Sequence, residues 1–270
     1  MTKAYWELQR DGTTFWADAA SEVGSPAFFQ HGLCGDSRQT TEVFPTDVPF
    51  RRVTMECRGH GRSEPGPLDR LGIATFTDDL AALIERTCAG PVVVGGISMG
   101  AAIALRLAVH RPELVRGLIL ARPAWITAYA PPNMRPNAEV GALLASDVNN
   151  ARERFLAGPT AADLRERAPD NLASLLGFFD RQPYEVTAAL LTSIAADGPG
   201  IDVADLKRIS VPSVVIGHEL DAIHPLTYAE TLAGLIPGAQ LRIITPKAVD
   251  KARYLADFQA AVREFLGGLG

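Results

Sequence analysis

The chain has 270 residues, of which 47% are hydrophobic, and its formal net charge at pH 7 is -5. This length and apolar content suit one large α/β domain with an inserted subdomain better than two independent domains. Lysine and arginine are scattered without a basic run or an aromatic-interleaved patch. We therefore expect no nucleic acid and no membrane as a partner, and a small-molecule substrate instead.

The cysteine content points to a reducing compartment. Cys34, Cys57 and Cys88 form no CxxC pair and leave one thiol over in any disulfide scheme, so free thiols are predicted. No segment has the length and hydropathy of a signal peptide or a membrane span, which predicts a cytoplasmic protein. The oligomeric state stays open, a homo-oligomer included.

Strands and helices are predicted to alternate along most of the chain. Residues 5–10 and 13–19 alternate around Asp11-Gly12, a pattern typical of a β-hairpin. Further strands are predicted at residues 27–30, 52–57, 92–95, 117–120, 211–217 and 240–245, and helices at residues 75–87 and 101–110. This alternation predicts a mostly parallel, twisted sheet flanked by helices.

Residues 124–207 interrupt the alternation, because prolines separate short helical pieces at 140–144, 172–179 and 186–194. We predict a helical cap over 124–207, inserted into a core made of residues 1–123 and 208–270. Such an insertion lies over the ligand crevice at the carboxyl ends of the strands. Its aromatic side chains are candidates either to line the pocket or to attach the cap to the core: Trp125, Tyr129, Phe155, Phe178, Phe179 and Tyr184.

The strongest chemical signal is at residues 96–100, which read Gly-Ile-Ser-Met-Gly between an apolar β-branched run and an alanine-rich helix former. Strand, sharp turn and helix in this order project the Ser98 hydroxyl into a cleft at a helix N-terminus, which favours developing negative charge. A tight glycine turn without chemistry is the alternative.

Two further segments carry a family resemblance. Residues 31–35 read His-Gly-Leu-Cys-Gly, and residues 56–63 read Glu-Cys-Arg-Gly-His-Gly-Arg-Ser. With the serine turn, they resemble the α/β-hydrolase fold family over nearly the whole chain, with glutamate in place of aspartate at the start of the second segment. The resemblance implies an oxyanion hole formed by the Leu33 and Met99 amides. It also implies that Asp221, after the 211–217 strand, is the acid of a catalytic triad.

The resemblance does not extend to the catalytic base of the triad. The family places a histidine after the last strand, but no histidine follows His224 in this chain. Three alternatives stay open. His224 is the base, although it is also placed to hydrogen-bond only within its own loop. Otherwise Lys247 or Tyr254 is the base, or the site has lost nucleophilic catalysis. We expect the substrate pocket to include His31, Trp125, Tyr129, Lys247 and Tyr254.

The leading functional hypothesis is a serine hydrolase of a small ester, lactone or related acyl compound with an atypical triad. One alternative is a lyase, isomerase or cyclase that holds an enolate in the oxyanion hole, and another is a small-molecule binding protein without turnover. Neither an HExxH pattern nor a nucleotide-binding glycine loop is present, so we expect no metal and no cofactor.

Overall fold

The computed structural model describes residues 4–269, so residues 1–3 and 270 of the predicted core lie outside the described range. Within that range the strands are β1 (Ala4–Arg10), β2 (Thr13–Ala19), β3 (Ser25–Gln30), β4 (Phe50–Met55), β5 (Val92–Ile97), β6 (Val115–Ala121), β7 (Ser213–Gly217) and β8 (Gln240–Ile243). They form one sheet in the order β1-β2-β4-β3-β5-β6-β7-β8. β2 pairs antiparallel with β1 and β4, and the other neighbours are parallel, which confirms the predicted mostly parallel sheet.

Helices connect these strands. They are α1 (Ser37–Val43), α2 (Ile73–Thr87), α3 (Met99–His110), α4 (Arg135–Ser146), α5 (Ala151–Leu156), α6 (Pro159–Arg167), α7 (Pro169–Phe178), α8 (Tyr184–Ala196), α9 (Val203–Leu206), α10 (Leu226–Leu235) and α11 (Lys251–Gly267). Helices α4 to α9 all fall between β6 and β7, within residues 124–207, which we call the inserted segment.

Most predicted elements are present with shifted ends. The predicted hairpin turns at Asp11 and Gly12, both of which have positive φ. Strand β8 ends at Ile243, two residues before the predicted end. Helix α1 was not predicted, because its seven residues carry too short a pattern to show a period; its N-terminus is capped by the Asp36 side chain.

Strand β5 shows how the core is built on both faces of the sheet. Val92 and Val94 belong to the apolar cluster that includes residues of α2 and α3. Val93 and Ile97 belong to a second cluster that includes Phe258 of α11. Successive side chains of a strand point to opposite faces, so an uninterrupted apolar strand is stable only when helices cover both. The carboxyl end of β5 is thereby held firmly at the position where Ser98 follows.

Candidate active site

Ser98 lies on a strained turn between β5 and α3. Its φ of 57° and ψ of -113° are conformations that non-glycine residues rarely adopt. A Cβ on Gly100 would lie 2.4 Å from the Gln30 carbonyl oxygen, and one on Gly96 would lie 2.5 Å from the Gly100 carbonyl carbon. Both glycines are therefore needed for the chain to pass this closely. The predicted order of strand, sharp turn and helix is confirmed.

The loop after β3 lies beside this turn. A Cβ built on Gly32 would be 3.5 Å from the Cβ of Ser98. The Gly32 N–H donates to Oε1 of Gln39 at 2.7 Å, and Leu33 lines the same cavity as Ser98. Met99 is the first residue of α3, so its N–H has no acceptor within the helix. The loop therefore lies against the Ser98 turn, and the oxyanion hole formed by the Leu33 and Met99 amides stays a prediction.

His31 does not line this cavity, unlike the prediction, but lies buried beneath the loop. Its Nε2 accepts the Cys57 N–H at 3.1 Å, and Nδ1 lies 2.8 Å from the Gly32 carbonyl oxygen. His60 accepts the Cys34 N–H in the same way at 2.9 Å. Burial lowers the pKa of both histidines below 6.5. Both are therefore neutral supports for the loop rather than ligand-binding groups.

Cys34 brings a thiol to the wall of the Ser98 cavity. Burial raises the pKa of this thiol to about 12, although Arg181 lowers it slightly. The thiol is therefore protonated at neutral pH and is a poor nucleophile, because the thiolate is the reactive form. Cys34, Cys57 and Cys88 are free, as predicted.

Asp221 follows β7 and is nearly enclosed. It accepts hydrogen bonds from Nε and Nη2 of Arg122 at 2.9 and 2.6 Å, and from Nδ2 of Asn171 at 2.9 Å. Burial alone raises the pKa of the Asp221 carboxyl, but Arg122 and His224 outweigh it and hold that pKa well below its ordinary value. Asp221 is therefore an ionised group held in one orientation by three side chains.

His224 is the histidine that shares the cavity with Ser98. Its Nδ1 lies 2.9 and 3.0 Å from the two Asp221 oxygens and 3.2 Å from Nη2 of Arg122. Because Nδ1 faces a carboxylate at both short distances, we assign the proton to Nδ1 and the basic lone pair to Nε2, so that the longer Arg122 contact is an approach of two donors. Burial lowers the pKa of His224 below 6.5; Asp221 raises it and Arg122 lowers it.

Sequence reasoning missed Arg122, which follows β6 and also lines the cavity. The available signal was a charged residue directly after an apolar strand in the middle of the sheet. Tyr254 lies behind it: the Arg122 guanidinium carbon is 6.0 Å from the centre of the Tyr254 ring, which also packs edge-on against His218. Tyr254 is buried there and does not line the cavity, and half-buried Lys247 does not line it either. Both positions differ from the prediction that these side chains reach the pocket.

The cavity around Ser98 has a volume of about 260 Å³. A larger outer cavity of about 680 Å³ shares Cys34, Gly35, Ser174 and Phe178 with it. The two cavities therefore adjoin each other at these four residues.

The aromatic candidates divide between cavity and packing. Phe178 lines both cavities. Trp125 does not line the Ser98 cavity, contrary to expectation, because its indole N–H donates to the Asp197 carbonyl oxygen at 2.9 Å inside the core. Tyr129 is 62% exposed and is also away from the cavity. Phe155 and Phe179 pack against each other, 5.7 Å apart, within the inserted segment, and Tyr184 contacts the same cluster.

Two asparagines join the inserted segment to the strand ends around Ser98. Nδ2 of Asn133 donates to the carbonyl oxygens of Ala124 and Ile223 at 3.0 and 2.7 Å. Asn171 of α7 binds Asp221, as described above, and accepts the Ala222 N–H at 2.7 Å. No sequence pattern signals these contacts, since each joins positions 50 or more residues apart or lies in a loop.

Among residues 4–269, no group of three or more His, Cys, Asp or Glu side chains could hold a metal ion. Over the same range, no helix is both long and apolar enough to cross a bilayer.

A serine on a strained strand-to-helix turn, at the carboxyl edge of a mostly parallel sheet and beside a histidine–aspartate pair, is the arrangement that defines α/β hydrolases. The family model for the alpha/beta hydrolase fold matches residues 28–248. This chain belongs to the α/β-hydrolase fold family.

Individual relatives cover nearly the whole chain. A non-heme chloroperoxidase, CPO-A1, from Kitasatospora aureofaciens is 27% identical over 246 residues, which are 87% of this chain and 88% of that protein. Est816, described as an N-acyl homoserine lactone degrading enzyme, superposes with a TM-score of 0.69 at 24% identity and covers 97% of this chain and 99% of its own. A thermophilic esterase from Thermogutta terrifontis gives a TM-score of 0.74 at 21% identity, covering 100% and 99%. At these identities the solved structures show a shared fold.

Proposed function

We propose that this protein hydrolyses a small ester, lactone or related acyl compound, with Ser98 as nucleophile, His224 as base and Asp221 as the residue that orients His224. One observation carries the proposal. Ser98 and His224 line the same cavity, and Nδ1 of His224 faces the Asp221 carboxylate, which leaves Nε2 as the basic atom. His224 therefore takes the place of the histidine that the family has after β8.

The reaction follows from these positions. His224 Nε2 accepts the Ser98 proton while Oγ attacks the substrate carbonyl carbon, and the resulting oxyanion is stabilised by the Leu33 and Met99 amides. The alkoxide leaving group takes the proton from His224, which leaves an ester on Ser98. Water, deprotonated by His224, then releases the acid and restores the serine.

Among residues 4–269, no hydrogen bond joins His224 to Ser98. Catalytic hydrogen bonds are often long without substrate and shorten when it binds. Ser98 also keeps its strained backbone without a side-chain cap, which is consistent with a hydroxyl reserved for a ligand. The names of solved neighbours, an N-acyl homoserine lactone degrading enzyme and an esterase, agree with this reaction class.

A second candidate is a non-hydrolytic enzyme or a binding protein with the same pocket. The observation in its favour is the Arg122–Asp221 ion pair, since Arg122 binds the carboxylate that would support His224 and also lowers the pKa of His224. A weaker base gives less help to Ser98. Such a protein would bind a small molecule without forming an acyl-enzyme.

Labelling by a fluorophosphonate, followed by intact mass, separates the two candidates. We expect one label per wild-type chain, none in Ser98→Ala, and labelling slower by about two to four orders of magnitude in His224→Ala. His110→Ala, at an exposed histidine, is the matched control and should label like wild type. If Lys247→Ala or Tyr254→Phe abolished labelling instead, that residue would be the base. Absence of labelling in the wild type would favour the non-hydrolytic candidate.

A further inference from the structure

Asn137 places a buried, unused hydrogen-bond acceptor in the wall of the Ser98 cavity. It is the third residue of α4, is only 5% exposed and lines the same cavity as Ser98. Its Oδ1 accepts no hydrogen bond from any group in residues 4–269. An amide oxygen that is both enclosed and unpaired is unfavourable, because it has lost water without gaining a partner.

The other amide side chains in the cavity wall do not share this property. Gln39 uses its oxygen to accept the Gly32 N–H, and Asn171 uses its oxygen to accept the Ala222 N–H, each at 2.7 Å. Asn137 is thus the amide side chain of this cavity wall whose oxygen has no partner within residues 4–269.

The position of Asn137 is fixed relative to Ser98. The two hydrogen bonds of Asn133 hold the start of α4 to the ends of the neighbouring strands, and α4 packs along α8. The cavity of about 260 Å³ is smaller than the roughly 300–1,000 Å³ of sites for drug-sized ligands. A molecule that fills this small cavity therefore lies against both Ser98 and Asn137.

The geometry points to Asn137 as a specificity-determining residue for acyl substrates that carry an N–H or O–H donor close to the reacting carbonyl. This inference rests on the proposed hydrolysis for its reaction, but not for its binding step. The donor pairs with Oδ1 of Asn137, and a substrate with CH₂ in its place leaves the acceptor unpaired. Sites of this kind reject the donor-less analogue more strongly than an apolar pocket rejects a change in size.

Matched esters test the inference. p-Nitrophenyl N-acetylglycinate and p-nitrophenyl 4-oxopentanoate differ by an N–H against a CH₂, and the 3-hydroxybutyrate and butyrate esters test the hydroxyl donor. For each pair we divide kcat/KM of the ester with the donor by kcat/KM of the ester without it. For at least one pair, we expect this ratio to be about ten- to a hundredfold lower in Asn137→Leu than in the wild type. Comparing ratios between variants cancels the intrinsic reactivity of each ester. Asn137→Asp keeps an acceptor and should keep the preference.

Asn150→Leu, the same substitution at an exposed position of the inserted segment, is the control and should leave both ratios unchanged. Circular dichroism checks folding, and Asn137→Ala, which adds no bulk, replaces Asn137→Leu if the latter does not fold. Ester hydrolysis with the same ratios in wild type and in the folded Asn137 variant would overturn the inference while leaving the proposed function intact.

Binding separates failure of the inference from failure of the proposed hydrolysis. Calorimetry on Ser98→Ala, with N-acetylglycine methyl ester and methyl 4-oxopentanoate, reports recognition without turnover. Tighter binding of the N–H ligand that is lost on adding Asn137→Leu supports the inference even if the wild type hydrolyses no ester. Equal binding of the two ligands to Ser98→Ala, together with equal ratios for the hydroxyl pair, overturns it.

Discussion

Arg122, in the wall of the Ser98 cavity, forms an ion pair with Asp221, with its Nε and Nη2 at 2.9 and 2.6 Å from the same carboxylate oxygen. Asp221 also contacts Nδ1 of His224 at 2.9 Å. The aspartate is therefore shared between a permanent cation and the proposed base. Sharing weakens the support that the carboxylate gives to a protonated His224, and the cation itself opposes that charge.

Replacing Arg122 should make His224 more basic. In Arg122→Gln we expect the pKa of His224 to rise, because Arg122 lowers it in the wild type. The imidazole resonances in a two-dimensional NMR titration measure this value. We also expect a loss of stability of about 3 kcal/mol, because Asp221 stays buried with fewer donors. Arg208→Gln, at an exposed arginine, is the control, and an unchanged His224 pKa in Arg122→Gln would contradict the assignment.

The rate of Ser98 labelling should depend on pH through His224. The base must be neutral, and burial lowers the pKa of His224 below its ordinary 6.5. Labelling should therefore be constant just above neutral pH and decrease only as pH falls below about 6.5. Arg122→Gln should move this decrease to higher pH. A wild-type midpoint above pH 6.5 would argue against His224 as the base.

Ser98→Gly should be more stable than Ser98→Ala. Both remove the hydroxyl, but glycine adopts the φ of 57° without strain, whereas alanine does not. The strain of such a residue costs on the order of 1–3 kcal/mol, and the added freedom of an unfolded glycine offsets part of it. We expect a difference of about 1 kcal/mol in the free energy of unfolding, measured in urea. Equal stabilities would mean that the turn relaxes in solution.

Gly100→Ala should destabilise the protein. The new Cβ would lie 2.4 Å from the Gln30 carbonyl oxygen and 2.8 Å from that of His31, so β3 and α3 must separate. Overpacking of this kind costs about 1–3 kcal/mol. The new Cβ of Gly234→Ala, in α10, would have no neighbour within 4 Å. This variant should leave the free energy of unfolding unchanged or raise it by about 0.5 kcal/mol. Thermal melting of both variants gives the comparison, and equal melting temperatures would refute the close approach.

Local sequence patterns predicted much of the fold. The apolar run before Ser98 and the alanine-rich run after it predicted β5 and α3 on either side of the turn, and both are present. Helices α4, α7 and α8 of the inserted segment were located between prolines, although α5, α6 and α9 were missed because they have few apolar residues and a weak period. Side-chain roles were predicted less well: His31 supports a loop, Tyr254 packs behind Arg122, and Trp125 binds a core carbonyl.

The sequence by itself determined the alternation of strands and helices, the glycine-flanked serine turn and the lack of a histidine after β8, since each is set by local periodicity, backbone freedom or composition. Only the tertiary structure decided that Arg122 and His224 share Asp221, and that Asn137 lines the Ser98 cavity while its buried oxygen stays unpaired. The physical reason is that these relationships join strand ends and inserted helices distant along the chain. Their hydrogen bonds depend on how the sheet and the inserted segment pack, which no local pattern encodes.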